Sequence, residues 1–290
     1  MKYKITHATR YTYSEPVPVC HNQLHLAPRD LDYQFCYDYS LLLSPAPHDR
    51  RSRVDYFGNL VDYFSIHEPH QGLTVTSVSV LEVLPGAPVE PLSSPPWEEV
   101  AERTLRTVSP AGLAVQQFRF PSRYMPELQP YEAYARQSFT AGRPIVDAAL
   151  DLTSRIHRDF RYDPRATHVN STLAEVFQGR AGVCQDFAHL QAACMRSVGL
   201  AARYVSGYLR TLPPPGKPRL VGADASHAWV SLWCGTAGWV DFDPTNNTIP
   251  ALDHVTLAWG RDYSDVCPIQ GVVVGGGQHE MSVTVDVEAL

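Results

Sequence analysis

Hydrophobic residues in the first third of the chain recur with a period of two, which is the spacing of β-strands. One parity carries the large side chains of residues 2–13, namely Tyr3, Ile5, Tyr11 and Tyr13. Turn-forming residues separate further segments rich in β-branched, aromatic and aliphatic residues: 19–27, 34–43, 60–66 and 73–84. Five or six short strands at this spacing predict a β-sandwich. Between two of them, the sequence 57–60 (Phe-Gly-Asn-Leu) predicts a hairpin turn.

The period becomes helical after a proline-rich stretch over residues 84–96. Two helical faces are predicted from apolar residues, one at Trp97, Val100, Ala101 and Leu105, the other at Ile145, Ala148, Ala149, Leu152 and Ile156. A third helix is predicted over 184–198, ending at Gly199, because glycine is favoured just past a helix end. Strands are predicted next at 203–207, 227–233 and 238–243, and a last one at 281–287 that could pair in either domain.

These elements predict an α+β protein with three segments. Residues 1–90 form a β-rich, sandwich-like domain, residues 91–270 form a mixed core, and residues 271–290 form a C-terminal strand segment. The chain has 290 residues, of which 44% are hydrophobic and 19% charged, and this composition is ordinary for a globular protein. The oligomeric state and the role of the N-terminal domain do not follow from the sequence.

The net charge and the apolar runs of the sequence bear on the expected partners and on the cellular location. The formal net charge is −6 and the sequence has no Lys/Arg cluster, which argues against nucleic acid or an anionic membrane as a partner. The first residues lack the apolar stretch of a secretory signal, and no run reaches the roughly 18 apolar residues of a spanning helix. We therefore expect a cytoplasmic protein.

The cysteines and histidines show no metal or disulfide pattern. The six cysteines form no CxxC pair, which favours reduced thiols over a disulfide framework. His21 and His25 share an HxxxH spacing, but on a strand they would stand about 13 Å apart. We therefore expect neither a metal nor a cofactor.

The segment 182–188 (Gly-Val-Cys-Gln-Asp-Phe-Ala) places Cys184 in the first turn of the third helix. Backbone N–H groups and the helix dipole favour negative charge there, and such a position lowers the pKa of a thiol. Asp186 would oppose this effect slightly, so a second activating group is needed. The alternative is that Cys184 is a small buried hydrophobic residue.

A base and a carboxylate follow on a predicted hairpin. His227 stands at the start of one strand, flanked by small residues, and the partner strand ends at Asp243-Pro244. Asp241 and Asp243 share a parity, but the hairpin register brings the end of the second strand beside His227, which favours Asp243. An aspartate there can fix the imidazole tautomer and stabilise the imidazolium. His189, five residues after Cys184, points elsewhere and is expected to be a surface or hydrogen-bonded histidine.

Three motifs in this order resemble the bacterial transglutaminase-like family, within the transglutaminase/papain-like superfamily: GVCQDFAHL, SHAWVSLW and GWVDFDPTN. The resemblance implies a core in which a Cys-bearing helix packs on an antiparallel sheet. It also implies a catalytic triad of Cys184 as nucleophile, His227 as base and Asp243 as orienting carboxylate. The family aspartate lies in the D-P-T element, which selects Asp243 over Asp241.

The resemblance also bears on the oxyanion hole. The backbone N–H of Cys184 is the expected donor. The family often adds an aromatic residue upstream of the cysteine, and Tyr162 occupies a suitable position in this sequence. Tyr162 could equally be a half-buried strand tyrosine, and Gln178 is a further candidate that carries less weight.

The implied reaction is acyl transfer or hydrolysis at amide bonds of a peptide or protein substrate, through a thioester. We favour hydrolysis by a protease or amidase, because water always competes at an exposed thioester. Protein cross-linking is the alternative reaction, and a non-catalytic peptide-binding module is the alternative class.

Overall fold

The computed structural model describes residues 1–168, 171–211 and 225–290. Its strands within these ranges are β1 (Lys2–Val17), β2 (Val19–Leu24), β3 (Gln34–Ser44), β4 (Asp49–Val54), β5 (Leu60–Ile66), β6 (His70–Val83), β7 (Arg161–Tyr162), β8 (Ala181–Gly182), β9 (Ala202–Leu209), β10 (Ala225–Trp233), β11 (Trp239–Phe242), β12 (His254–Gly260), β13 (Ile269–Val274) and β14 (His279–Ala289). Its α-helices are α1 (Trp97–Arg106), α2 (Pro110–Gln116), α3 (Glu132–Arg136), α4 (Ile145–Asp159), α5 (Leu173–Gly179), α6 (Cys184–Ser197) and α7 (Tyr263–Val266). The predicted α+β class is confirmed.

Two four-stranded sheets form the predicted sandwich, in the orders β14-β1-β6-β3 and β13-β2-β5-β4. Their facing sides share a core that includes Val17, Leu24, Phe64 and Val75. The predicted alternation of β1 is confirmed, since Tyr3 and Ile5 are buried while Lys2 and Lys4 are exposed. The hairpin turn before β5 is also confirmed, with Gly58 at a φ of 77°.

Strand β4 was not predicted. Its sequence, DRRSRV, has almost no apolar residue, and the strand is exposed nearly throughout. It lies at the outer edge of its sheet and pairs only with β5 among the described strands. An edge strand needs no hydrophobic alternation when neither face is buried, so the pattern gave no signal.

The C-terminal residues complete both sheets of the sandwich. Strand β14 runs antiparallel to β1, pairing Met281 with Tyr11 and Val283 with Thr9. Strand β13 runs antiparallel to β2. The glycines 275–277 between them all have positive φ, which allows the turn that carries the chain from one sheet to the other. The last predicted strand therefore pairs with the N-terminal region.

The core holds a third four-stranded antiparallel sheet, in the order β11-β10-β9-β12, with α6 packed against β9 and β10. Helix α6 ends before Gly199, whose φ of 86° fits the predicted position past a helix end. The predicted face of α4 is buried at every position. The predicted face of α1 is wrong at one position, because Leu105 is exposed and Thr104 is buried in its place.

The sandwich docks directly on the core. Tyr3, Ile5 and Val287 belong to the same hydrophobic cluster as Phe187 and Leu190 of α6. The stretch 84–96 therefore does not act as a flexible tether between two separate bodies.

A cation–π stack reinforces this contact. The guanidinium groups of Arg29, from the sandwich side, and Arg203, from β9, each lie 3.6 Å from the ring centroid of Trp259. Burial lowers the pKa of both arginines to about 10, so both stay charged near neutral pH. Desolvated pairs of this kind contribute about 2 kcal/mol each.

None of the helices in the described ranges is long and apolar enough to cross a membrane.

Candidate active site

Cys184 is the first residue of α6, and the turn before it is built around Asp186. The Asp186 carboxylate accepts hydrogen bonds from the Val183 N–H at 2.9 Å and from the Thr167 hydroxyl at 2.7 Å. Burial raises the pKa of Asp186, and these two hydrogen bonds oppose that rise. A Cβ at Gly182 would lie 2.7 Å from the Asp186 carboxylate oxygen. Glycine at 182 therefore leaves room for the side chain that caps the Cys184 helix.

The hairpin of β10 and β11 brings His227 and Asp243 together. Val230 pairs with Phe242 in the hairpin, so the next residue, Asp243, extends toward the start of β10. His227 Nε2 and Asp243 Oδ2 are 2.7 Å apart. Asp241 instead accepts a hydrogen bond from Trp229 Nε1 at 2.9 Å. The prediction that Asp243, and not Asp241, hydrogen-bonds His227 is confirmed.

The environment of His227 favours its charged form. Burial by itself lowers the pKa of His227, but hydrogen bonds with Asp243 and Cys184 outweigh it and raise the pKa to about 10. Nε2 is the ring nitrogen of His227 that faces Asp243. An imidazolium between a thiol and a carboxylate is the arrangement that a cysteine nucleophile requires.

Asp243 is fully buried and accepts hydrogen bonds on both oxygens. Oδ1 accepts the backbone N–H groups of Thr245 at 2.9 Å and Asn246 at 3.2 Å. Oδ2 accepts from Asn246 Nδ2 at 2.7 Å as well as from His227. Burial tends to raise the pKa of Asp243, but hydrogen bonds with His227 and His254 hold it well below its usual range. The carboxylate therefore stays ionised near neutral pH.

His254 is a member of this network that the sequence did not reveal. Its Nε2 lies 3.0 Å from Asp243 Oδ2, and its Nδ1 accepts the Ala251 N–H at 3.5 Å. With Nδ1 as an acceptor, Nε2 carries the proton that is donated to Asp243. His254 begins β12, which pairs with β9, the neighbour of β10. No local motif marks it, and only its place at a strand start could have drawn attention.

One group of three potential metal ligands occurs among the described residues, and it is the same network. Ligand atoms of His227, Asp243 and His254 all lie within 4.8 Å of one another. A metal ion there would need the Asp243 oxygen that already accepts from both imidazoles. Metal binding would therefore compete with the Asp243–His227 hydrogen bond.

The remaining candidates lie apart from this hydrogen-bond network. Tyr162 pairs with Gly182 through β7 and β8, and its side chain is 54% exposed. Desolvation and the nearby Cys184 raise the pKa of Tyr162. Gln178 is exposed near the end of α5.

His189 is buried, so its expected surface position is wrong and its alternative, a hydrogen-bonded helix histidine, is confirmed. It lies between the rings of Tyr124 and Tyr204 and accepts the Tyr263 N–H at 3.1 Å.

A cavity of about 220 Å³ opens beside Cys184 and His227. The core lines one side of it, and the sandwich lines the other through the paired residues Thr9 with Val283 and Tyr11 with Met281. The candidate site therefore lies at the junction of the two regions and takes side chains from both ends of the chain.

Two family profiles match the chain. Residues 3–82 match the bacterial transglutaminase-like N-terminal region, and residues 132–244 match the transglutaminase-like superfamily.

Individual relatives extend the match. An uncharacterised protein of Mycobacterium tuberculosis (strain ATCC 25618 / H37Rv) is 40% identical over 300 residues, covering 99% of this chain and 92% of the relative. A protein-glutamine gamma-glutamyltransferase of Pseudomonas aeruginosa is 34% identical over 118 residues, which is 40% of this chain and 17% of that protein. A crystal structure of a candidate cysteine protease from Cytophaga hutchinsonii has a TM-score of 0.75 at 22% identity, covering 100% of this chain and 91% of the other.

Proposed function

The chain belongs to the transglutaminase-like superfamily, and from that premise we propose that it is a cysteine enzyme acting on amide bonds of peptides or proteins. Cys184, His227 and Asp243 form the proposed catalytic triad. One observation carries the proposal: His227 is hydrogen-bonded to Asp243 at 2.7 Å, and the Cys184 side chain at the start of α6 helps to raise the pKa of the same imidazole. A histidine with a purely structural role would not require a half-buried thiol at a helix N-terminus as its neighbour.

The proposed reaction begins with the Cys184 thiolate paired with protonated His227. The sulfur attacks the amide carbonyl carbon, and the carbonyl oxygen becomes an oxyanion. When the C–N bond breaks, His227 gives its proton to the leaving amine and a thioester remains on Cys184. His227, now neutral, takes a proton from a water molecule, which attacks the thioester; breakdown of the intermediate releases a carboxylic acid and restores the Cys184 thiolate beside protonated His227.

The oxyanion is stabilised by groups at the start of α6. The first N–H groups of a helix have no partner within the helix, so the Cys184 N–H is free to donate to the oxyanion. The Tyr162 hydroxyl is the proposed second donor, since Tyr162 pairs with Gly182, two residues before Cys184, and its side chain is exposed. Asp243 does not change its protonation state; it holds the imidazole of His227 in place.

Water is the proposed acceptor of the acyl group, which makes the enzyme a protease or amidase. Transfer to an amine, which would give protein cross-linking, is the second candidate. The similarity to a protein-glutamine gamma-glutamyltransferase over 118 residues supports that second candidate. We propose a cytoplasmic location, where reducing conditions maintain thiols such as the six free cysteines of this chain.

The test uses peptides with a central glutamine, which offer both backbone and side-chain amides, with and without a fluorescent primary amine. Mass spectrometry would distinguish a hydrolysed product from an amine adduct. Cys184→Ala is the control and should lose all turnover while its melting temperature stays near that of the wild type.

Iodoacetamide labelling at neutral pH separates the enzyme from a non-catalytic peptide-binding module. Cys184 should react faster than the buried Cys194 and Cys234, and His227→Gln should slow that reaction. Turnover that persists in Cys184→Ala would refute the proposed nucleophile. Peptide binding by the wild type with neither turnover nor selective labelling would favour the binding module.

A further inference from the structure

A groove continues from the catalytic cysteine to the open edge of the sandwich. The cavity beside Cys184 and a second cavity of about 380 Å³ share two lining residues, Tyr11 and Ile269. The second cavity lies between β13 and β14 and reaches Val273 and His279. We call the two together the edge groove.

The lining of the edge groove contains no Asp, Glu, Lys or Arg among the described residues. His7, at the inner end, hydrogen-bonds to Tyr208 and Thr9. Burial lowers the pKa of His7 to about 4, so it is neutral near pH 7. Apart from the proposed triad, the groove therefore offers a ligand no charged carboxylate, ammonium or guanidinium group.

Exposed apolar side chains line the edge groove beside the polar Asn22 and His279. Strands β13 and β14 are the outermost strands of their sheets among the described strands. Three of their apolar side chains that line the groove are between 40% and 59% exposed: Val273, Met281 and Val283. Exposed apolar edge strands promote association with other strands, and proteins usually protect them with charges or a covering segment. Apolar surface next to a catalytic cleft is typical of a binding site.

Resting on the proposed function, we infer that the edge groove is a substrate subsite that takes an extended, uncharged, apolar segment of the substrate peptide beside the reacting amide. The apolar side chains of the segment contact Tyr11, Ile269 and Val273. Met281 and Val283 are exposed on β14, the outermost strand of its sheet among the described strands, so the backbone of the segment can add there as a further strand, a recognised mode of peptide binding. A charged residue in the segment would lose its hydration and find no partner.

Binding is tested first, because it does not depend on turnover. The protein is Cys184→Ala, and the probes are three fluorescein-labelled nine-residue peptides with a central glutamine flanked by Leu and Val, or with two flanking residues changed to Lys or to Glu. We expect the apolar peptide to bind about tenfold or more tightly than either charged peptide. Equal affinity for the three peptides, or no binding of the apolar one, would overturn the inference.

A matched pair of variants locates the effect. In the same Cys184→Ala background, Val273→Asp should weaken binding of the apolar peptide about tenfold and strengthen binding of the Lys peptide. Val54→Asp is the control, because Val54 is 66% exposed on the outer strand β4 of the same sheet, away from the groove. Equal effects of the two variants would show that the groove is not the binding site.

The remaining outcomes separate this inference from the proposed function. Turnover of all three peptides at one rate, lost in Cys184→Ala, would support the enzyme and refute the subsite. Selective binding of the apolar peptide without any turnover would support the subsite and refute the enzyme. A wild-type dimer that Val273→Asp converts to a monomer would show that a second copy of the chain covers the edge, and the inference would be wrong.

Discussion

The two ends of the edge groove differ in the surroundings of their side chains. At the inner end, Asp243 is fully buried and its two oxygens accept hydrogen bonds from His227, His254, Thr245 and Asn246. At the outer end, the groove-lining side chains of Val273, Met281 and Val283 are between 40% and 59% exposed. One end is a closed polar network, and the other is an open apolar surface.

This difference separates two tasks of the site. A buried network costs stability when any partner is lost, so its geometry is held rigidly and suits chemistry that depends on tenths of an ångström. An apolar edge gains free energy only when something covers it, so it suits recognition of a partner. We expect substitutions at the inner end to change kcat and those at the outer end to change which peptide binds.

The largest expected effect concerns the carboxylate. Asp243→Asn removes the negative charge and allows the wrong imidazole tautomer of His227, and we expect a loss of roughly 10²–10³ in kcat. Asp241→Asn should stay within about fivefold of wild type, because an amide oxygen can still accept the Trp229 hydrogen bond. Steady-state kinetics on one peptide, with thermal melts, would check both. An inactive Asp241→Asn beside an active Asp243→Asn would show that the triad is misassigned.

The next effect concerns stability along a single strand. Val285 is buried in the main core, whereas Met281 lies on the same face of β14 and is exposed. We expect Val285→Ala to lower the free energy of unfolding by about 2 kcal/mol, and Met281→Ala by less than about 0.5 kcal/mol. Urea denaturation would measure both. Similar losses in the two variants would show that the outer half of β14 is packed in solution.

A smaller effect is expected at His254, a positioning residue that acts through Asp243. His254→Leu removes one donor to the carboxylate, and we expect kcat to fall about tenfold with little change in KM. The acid limb of the pH–rate profile should move to higher pH, because the His254 hydrogen bond helps to lower the pKa of Asp243. His254→Gln keeps a donor and should restore most of the loss. An unchanged acid limb in His254→Leu would show that His254 only packs against its neighbours and does not act through Asp243.

The last effect is a slope in stability with pH, which is small within any one pH unit. The pKa of His227 is raised to about 10 in the folded protein, above the roughly 6.5 of an unfolded histidine. Its contribution to stability is therefore fully present below about pH 6.5 and is lost as the pH rises toward 10. We expect the free energy of unfolding to fall in this window by at most about 1.4 kcal/mol per pH unit. His227→Gln should show a flatter profile, and identical profiles would contradict the raised pKa.

Much of the inner end could be predicted from the sequence, because its residues are close together along the chain. His227 and Asp243 are 16 residues apart on one hairpin, so parity and register place them in contact. His254 could not be found this way. It reaches Asp243 through β12, which pairs with β9 rather than with its neighbour in sequence, and such pairings depend on the whole fold.

The outer end was not predictable for a related reason. The alternation of residues 281–287 identified a strand, but no local pattern identified β1 as its partner. Two other elements show where hydrophobic patterns fail. Strand β4 has no alternating pattern because it is exposed nearly throughout. Leu105 fits the predicted apolar face of α1, but the fold leaves its side chain exposed.

The pairing of β14 with β1 has a consequence for folding kinetics. It joins Thr9 to Val283, across nearly the whole chain, whereas the His227–Asp243 hairpin closes a short loop. Contacts of long sequence separation form late, because loop closure must precede them. During refolding we therefore expect the hairpin tryptophans to reach native fluorescence before the protein can bind the apolar peptide. We likewise expect a newly made chain to form the proposed triad before the proposed peptide subsite, because one wall of that subsite is absent until residue 283 has been synthesised.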